Sequence, residues 1–123
     1  MPIVSVQGAV LSDVLLYELN NSLSRRTVIL KTGNKAVYGT VLGKITEENK
    51  YVPLDPTATD GSQTACAVSI DNEDASSADG KVIVLTNTAA VFGKNLQWPE
   101  GITSEQQAQA LADLEKTFIQ ARN

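Results

Sequence analysis

The sequence predicts a mainly β domain with an extended N-terminal arm and one C-terminal α-helix. Three observations carry that expectation. Short β-branched runs recur through the middle of the chain, each closed by glycine, asparagine or aspartate. The first stretch, Pro2-Ile3-Val4-Ser5-Val6-Gln7, has strand chemistry and is set apart by Gly8. The last stretch, from Thr103 onward, holds no glycine or proline and spaces its apolar residues for a helix.

Taken in order, residues 1–21 form the arm and residues 22–123 a single β-rich domain. Val10 to Leu19 is apolar but fits neither the helical nor the strand period. Asn20-Asn21-Ser22 reads as a turn. Arg26 to Lys31 is a compact strand ended by Thr32-Gly33-Asn34. Val37 to Leu42 is a second strand, with Gly39 marking a bulge or a close backbone approach, and Lys44-Ile45-Thr46 continues it. Glu47 to Lys50 is a polar turn. Tyr51 to Leu54 resumes an extended path, at an edge because Pro53 has no amide hydrogen.

Asp55 to Gln63 is a loop in which Asp60-Gly61 signals a turn. Thr64 to Ile70 is the central strand. Asp71 to Lys81 is an acidic loop, Val82 to Thr86 a buried strand and Thr88 to Phe92 a shorter one. Thr103 or Ser104 caps the helix, with Gln106 or Gln107 completing a capping box. The helix spans about 104–121. Ala108, Leu111, Leu114 and Phe118 form its buried face, and Gln109, Asp113 and Lys116 face solvent.

Composition narrows the function. The chain has 123 residues, one domain by size, and a formal net charge of −4. Arg25-Arg26 is its one adjacent basic pair, which argues against a nucleic-acid partner. No apolar run approaches a membrane span, and the N-terminus lacks the pattern of a signal peptide. Histidine is absent, so Ser-His-Asp and Cys-His chemistry are excluded. Cys66 is the single cysteine and reads as a small core residue in an apolar run.

The remaining candidates for chemistry are weak. Counted from Asp71, the acidic loop has Ser76 and Val82 where a calcium loop needs glycine and glutamate, so no metal site is expected. Glu47 and Glu48 are adjacent in a polar turn, without the pocket that splits the pKa values of a catalytic pair. Gly39 and Gly43 do not form a phosphate loop, and no cofactor motif is present. Trp98, extended by the following Pro99, is either a core anchor at the entry to the helix or an anchor at a subunit or shell contact.

Three stretches, in order, carry a resemblance. They are Gly39-Thr40-Val41-Leu42-Gly43-Lys44-Ile45-Thr46, then Lys50-Tyr51-Val52-Pro53-Leu54-Asp55 leading into Asp60-Gly61-Ser62, then Leu96-Gln97-Trp98-Pro99-Glu100-Gly101. Together they closely resemble the head decoration proteins of tailed bacteriophages, the family of the lambda capsid-stabilising protein. The likeness runs from about Leu16 to the C-terminus. Leu15-Leu16-Tyr17-Glu18 departs from the lambda form and looks more like longer-armed relatives.

The resemblance implies a small α+β domain of β-clip or β-tulip type, non-enzymatic, that acts as a homotrimer. It implies a location on the outer surface of the virion head, after synthesis in the host cytoplasm. Trimers would sit at three-fold and quasi-three-fold positions and bridge copies of the major capsid protein against internal DNA pressure. The strand-like arm, Pro2 to Gln7, would then be the capsid-binding segment. Two other classes stay open from the residues alone: a trimeric surface binding or adhesion module, and a trimeric enzyme with sites between subunits.

Overall fold

The computed structural model describes residues 15–18 and 24–122. Among them are ten strands, one α-helix and a short 3-10 helix (Gly93–Asn95): β1 (Leu15–Glu18), β2 (Arg25–Leu30), β3 (Lys35–Ala36), β4 (Val41–Ile45), β5 (Lys50–Pro53), β6 (Ala65–Ser69), β7 (Glu73–Asp74), β8 (Gly80–Leu85), β9 (Ala89–Phe92), α1 (Ser104–Glu115) and β10 (Ile119–Arg122). The mainly β expectation holds. Five strands close into a barrel in the order β2-β5-β4-β6-β8. A three-stranded sheet, β1-β9-β10, lies beside it, and β3 pairs with β7 as a short ribbon.

Alternation along the strands builds two cores. Val28 and Leu30 of β2, Leu42 of β4, Tyr51 of β5, Ala67 of β6, and Val82 and Val84 of β8 form one cluster within the barrel. Val41, Ala65 and Val68, from the opposite faces of β4 and β6, join Ala89 and Val91 of β9, Ala110 and Leu114 of α1, and Ile119 of β10 in the other. The period-2 geometry of a strand lets β4 and β6 serve both clusters. Cys66 is the extra residue of a bulge, because Leu42 faces Ala67 while Gly43 already faces Ala65. It is half-buried rather than a core residue, and burial pushes its thiol up to about 11.

The helix starts as its sequence dictates. The Thr103 hydroxyl accepts from the Gln106 amide at 3.1 Å, and the Gln106 side chain accepts from the Thr103 amide at 3.0 Å. Its end departs from expectation. The helix stops at Glu115, not near Ala121, and the chain turns through Phe118 at φ 67° into β10. Thr117-Phe118-Ile119 is a β-branched and aromatic run with poor helix propensity. β9 offers parallel main-chain partners to Ile119–Arg122, and Ile119 gains full burial. Phe118 is consequently 68% exposed, not part of the buried face. That face is Ala110, Asp113 and Leu114, while Ala108 is exposed. Asp113 tolerates burial because Gln109 Nε2 donates to it at 3.0 Å and Lys116 pairs with it at 3.4 Å.

Three smaller differences follow from a turn and from strand pairings. The predicted strand Val37–Leu42 begins only at Val41, because Gly39 at φ 92° sits in a turn closed by Thr40 N–H donating to the Val37 carbonyl. Glu73–Asp74 of the acidic loop pairs with Lys35–Ala36. Four residues of the predicted arm, Leu15–Glu18, are a strand antiparallel to β9. The predicted turn at 20–22 and the arm residues before Leu15 lie outside the described residues.

Candidate functional site

The three sequence stretches that stand out meet in space. Gln97 N–H donates to the Gly39 carbonyl at 2.8 Å, and Val41 N–H donates to the Gln97 carbonyl at 3.2 Å. Leu54 N–H donates to the Val41 carbonyl at 2.9 Å, and Asp55 N–H to that of Ser62 at 3.0 Å. Thr46 N–H donates to the Asp60 carbonyl at 2.9 Å. Strand β4 is therefore flanked at its start by the lead-in to the helix and at its end by the loop 55–63. The connections are main chain to main chain, which ties side-chain identity to backbone conformation and space.

Two glycines make this contact possible. A Cβ on Gly43 would collide with the backbone of Ser62, whose Cα would lie 2.7 Å away. A Cβ on Gly61 would strike Thr46 Oγ1, and its φ of 110° is closed to L side chains. Within the loop, Ser62 donates to Asp60 Oδ1 from its hydroxyl at 2.6 Å and its amide at 3.0 Å. The hydroxyl first, then the amide, holds the Asp60 carboxyl below its ordinary range.

Trp98 and Pro99 lie on the outside of this junction. Trp98 is partly buried and packs with Tyr38, Ile102 and Leu111 against the cluster containing Ala110 and Leu114. Next to it, Leu54–Thr57 and Pro99–Ile102 with Gln106 line a shallow depression of about 220 Å³. The arm residues Pro2, Ile3, Val4, Ser5, Val6 and Gln7 are outside the described residues.

Most carboxylates of the acidic loop, and Glu48, are occupied locally. Asp71 Oδ1 accepts from Asn72 N–H at 2.8 Å, and Asp74 Oδ1 from Ser76 N–H at 2.9 Å. Asp79 bridges Thr32 N–H at 2.9 Å and Lys50 Nζ at 2.8 Å, and the lysine depresses its carboxyl pKa. Glu48 pairs with Lys31 at 2.8 Å, and Glu47 is exposed. Among the described residues, no three His, Cys, Asp or Glu side chains cluster as metal ligands, and no helix is long and apolar enough to cross a membrane.

One feature escaped sequence reasoning because it joins residues from separate strands. Strand β2 pairs with β8 along its whole length, Arg25 to Leu30. It pairs with β5 only at Leu30–Tyr51. Below that single pairing a groove of about 230 Å³ opens, lined by Arg26, Thr27, Val28, Ile29, Lys44, Asn49 and Tyr51.

A family model described as bacteriophage lambda head decoration protein D matches residues 4–119. A search of curated proteins finds none that matches.

Proposed function

The chain belongs to the lambda head decoration protein family, and from that membership we propose that it is a cement protein of a phage head. It binds the outside of the expanded shell as trimers at three-fold and quasi-three-fold positions. There it bridges copies of the major capsid protein and resists internal DNA pressure. The observation that carries this reading is the family match, which spans nearly the whole chain. Two features support it. The distinguishing residues build a rigid main-chain junction rather than a reactive centre. Asp71, Asp74, Asp79 and Glu48, which include the acidic-loop aspartates, are held in turns and ion pairs.

The arm completes the reading. Pro2 to Gln7 pairs with a strand of the capsid protein, with main-chain hydrogen bonds supplying affinity and alternate side chains selectivity. A trimer presents three arms at once and so raises their effective concentration. The test is to incubate the protein with expanded, undecorated heads, then pellet and image them. Decorated heads should rupture at a higher temperature than bare ones, since a ligand of the intact shell stabilises it by mass action. Deleting Pro2 to Gln7 should leave the body folded and strongly reduce pelleting. Equal rupture temperatures with and without bound protein would remove the cementing role, and undiminished binding by the truncated chain would remove the arm.

A further inference from the structure

We infer that the groove between β2 and β5 receives an extended, carboxylate-bearing segment of the capsid protein. Two independent observations converge on it. The first is main chain. Lys31 N–H donates to the Tyr51 carbonyl at 3.0 Å, which fixes the odd-numbered residues of β2 as those whose main-chain groups face β5. Among the described residues, the single pairing at Leu30–Tyr51 leaves Thr27 on that side with no strand opposite it. An open strand edge inside a groove is a template for one more extended segment.

The second observation is charge. The protein is acidic overall, yet no groove-lining residue is acidic and two are cationic. Four lysines outside the groove are matched, Lys31 with Glu48, Lys35 with Asp74, Lys50 with Asp79 and Lys116 with Asp113, while Lys81 and Lys94 have no ion pair among the described residues. Arg26 and Lys44 have no such partner among the described residues. Arg26 is exposed and Lys44 half-buried, so both can meet a ligand with little rearrangement. A segment placing a carboxylate near each, while pairing its main chain with Thr27, satisfies edge and charge together. The N-terminal segment of a second copy fits poorly, because residues 1–14 contain one acidic side chain, Asp13.

This inference rests on the cementing reading, and one experiment separates the two. Wild type, Arg26→Glu, Lys44→Glu and the control Lys94→Glu are bound to expanded, undecorated heads at two salt concentrations. Thermal melts confirm each fold. Reversal in the groove should weaken binding by about tenfold or more and flatten its salt dependence, while Lys94→Glu binds as wild type. Carbodiimide treatment of decorated heads should join Lys44 Nζ to a capsid-protein carboxylate as an amide, identified by mass spectrometry. Lys44→Arg should keep the binding and lose that cross-link. If a reversed variant fails to fold, Lys44→Gln and the cross-link decide. Wild-type binding with neither a reversal effect nor a Lys44 cross-link overturns the groove and leaves cementing intact. A Lys44 cross-link to a second copy overturns the choice of partner. Failure of the wild type to bind heads overturns both readings.

Discussion

The loops 55–63 and 71–79 have similar compositions and different mechanics. Both are polar, and both fold carboxylates back onto nearby amides: Asp55 onto Thr57 and Asp60 onto Ser62 in one, Asp71 onto Asn72 and Asp74 onto Ser76 in the other. The first is also wedged against β4, its backbone seated where Gly43 has no side chain. The second is held at the surface by the short β3–β7 ribbon and by Asp79 reaching Thr32 and Lys50. Local turn chemistry and main-chain hydrogen bonding are thus shared, and the difference lies in the backbone of the first loop filling the space a side chain at Gly43 would need. Backbone cannot move aside as a side chain can, so the first loop should tolerate far less change.

The largest expected effect tests that directly. Gly43→Ala forces a methyl into the Ser62 main chain, and Gly61→Ala adds a positive-φ penalty to a clash with Thr46. Each should destabilise the fold by about 3 kcal/mol or more, combining overpacking with backbone strain. Gly80→Ala is the matched control beside the second loop. Its methyl would first meet the Glu73 side chain, which can swing away. Thermal melts should place the first two variants well below wild type and Gly80→Ala close to it. Similar losses in all three would show that the two loops are equally rigid.

A smaller effect is expected on the outer flank of the wedged loop. Trp98 covers the helix side of this region and is only partly buried. Trp98→Ala should cost about 2 kcal/mol, less than the roughly 3–5 kcal/mol of a fully enclosed large aromatic. A variant that melts like wild type yet no longer trimerises or binds heads would instead make Trp98 an intermolecular anchor.

The same contrast explains what could be read from the sequence. The strands β2, β6 and β8 and the helix start were legible because period-2 runs and a Thr103–Gln106 capping box are local signals. The helix end was not. Nothing within 116–121 breaks a helix outright, and the strand at Ile119 exists because β9 is there to pair with it. The burial of Asp113 is equally non-local: its partners Gln109 and Lys116 lie on the same helix, but what encloses it is the packing of that helix on the sheets. Gly39 within a strand-like run is a local sign of a bulge or close approach, but the contact of Gly43 with Ser62 needs the loop's path across β4. The β2–β5 groove was invisible, because Arg26 and Lys44 become neighbours only when the barrel closes.

Acid titration gives the smallest effect and the finest comparison. Hydrogen bonds from Ser62 depress the Asp60 carboxyl, and the Lys50 and Thr32 donors depress that of Asp79. Each folded pKa lies below the unfolded value of about 3.9. Each carboxylate therefore contributes stability that is present above about pH 4 and is lost as pH falls through the folded pKa. Melting temperature should stay flat between neutrality and about pH 5, then drop. The two loops should part company in salt. The Asp79–Lys50 pair is solvent-exposed and screened, so Asp79→Ala should differ from wild type at low salt and converge with it at high salt. The short Ser62 hydrogen bonds to Asp60 are local and weakly screened, so the acid shift of Asp60→Ala should persist at both salt concentrations. An acid transition in Asp60→Ala that matches wild type at both would mean that the wedge at Gly43 holds the first loop without help from its carboxylate.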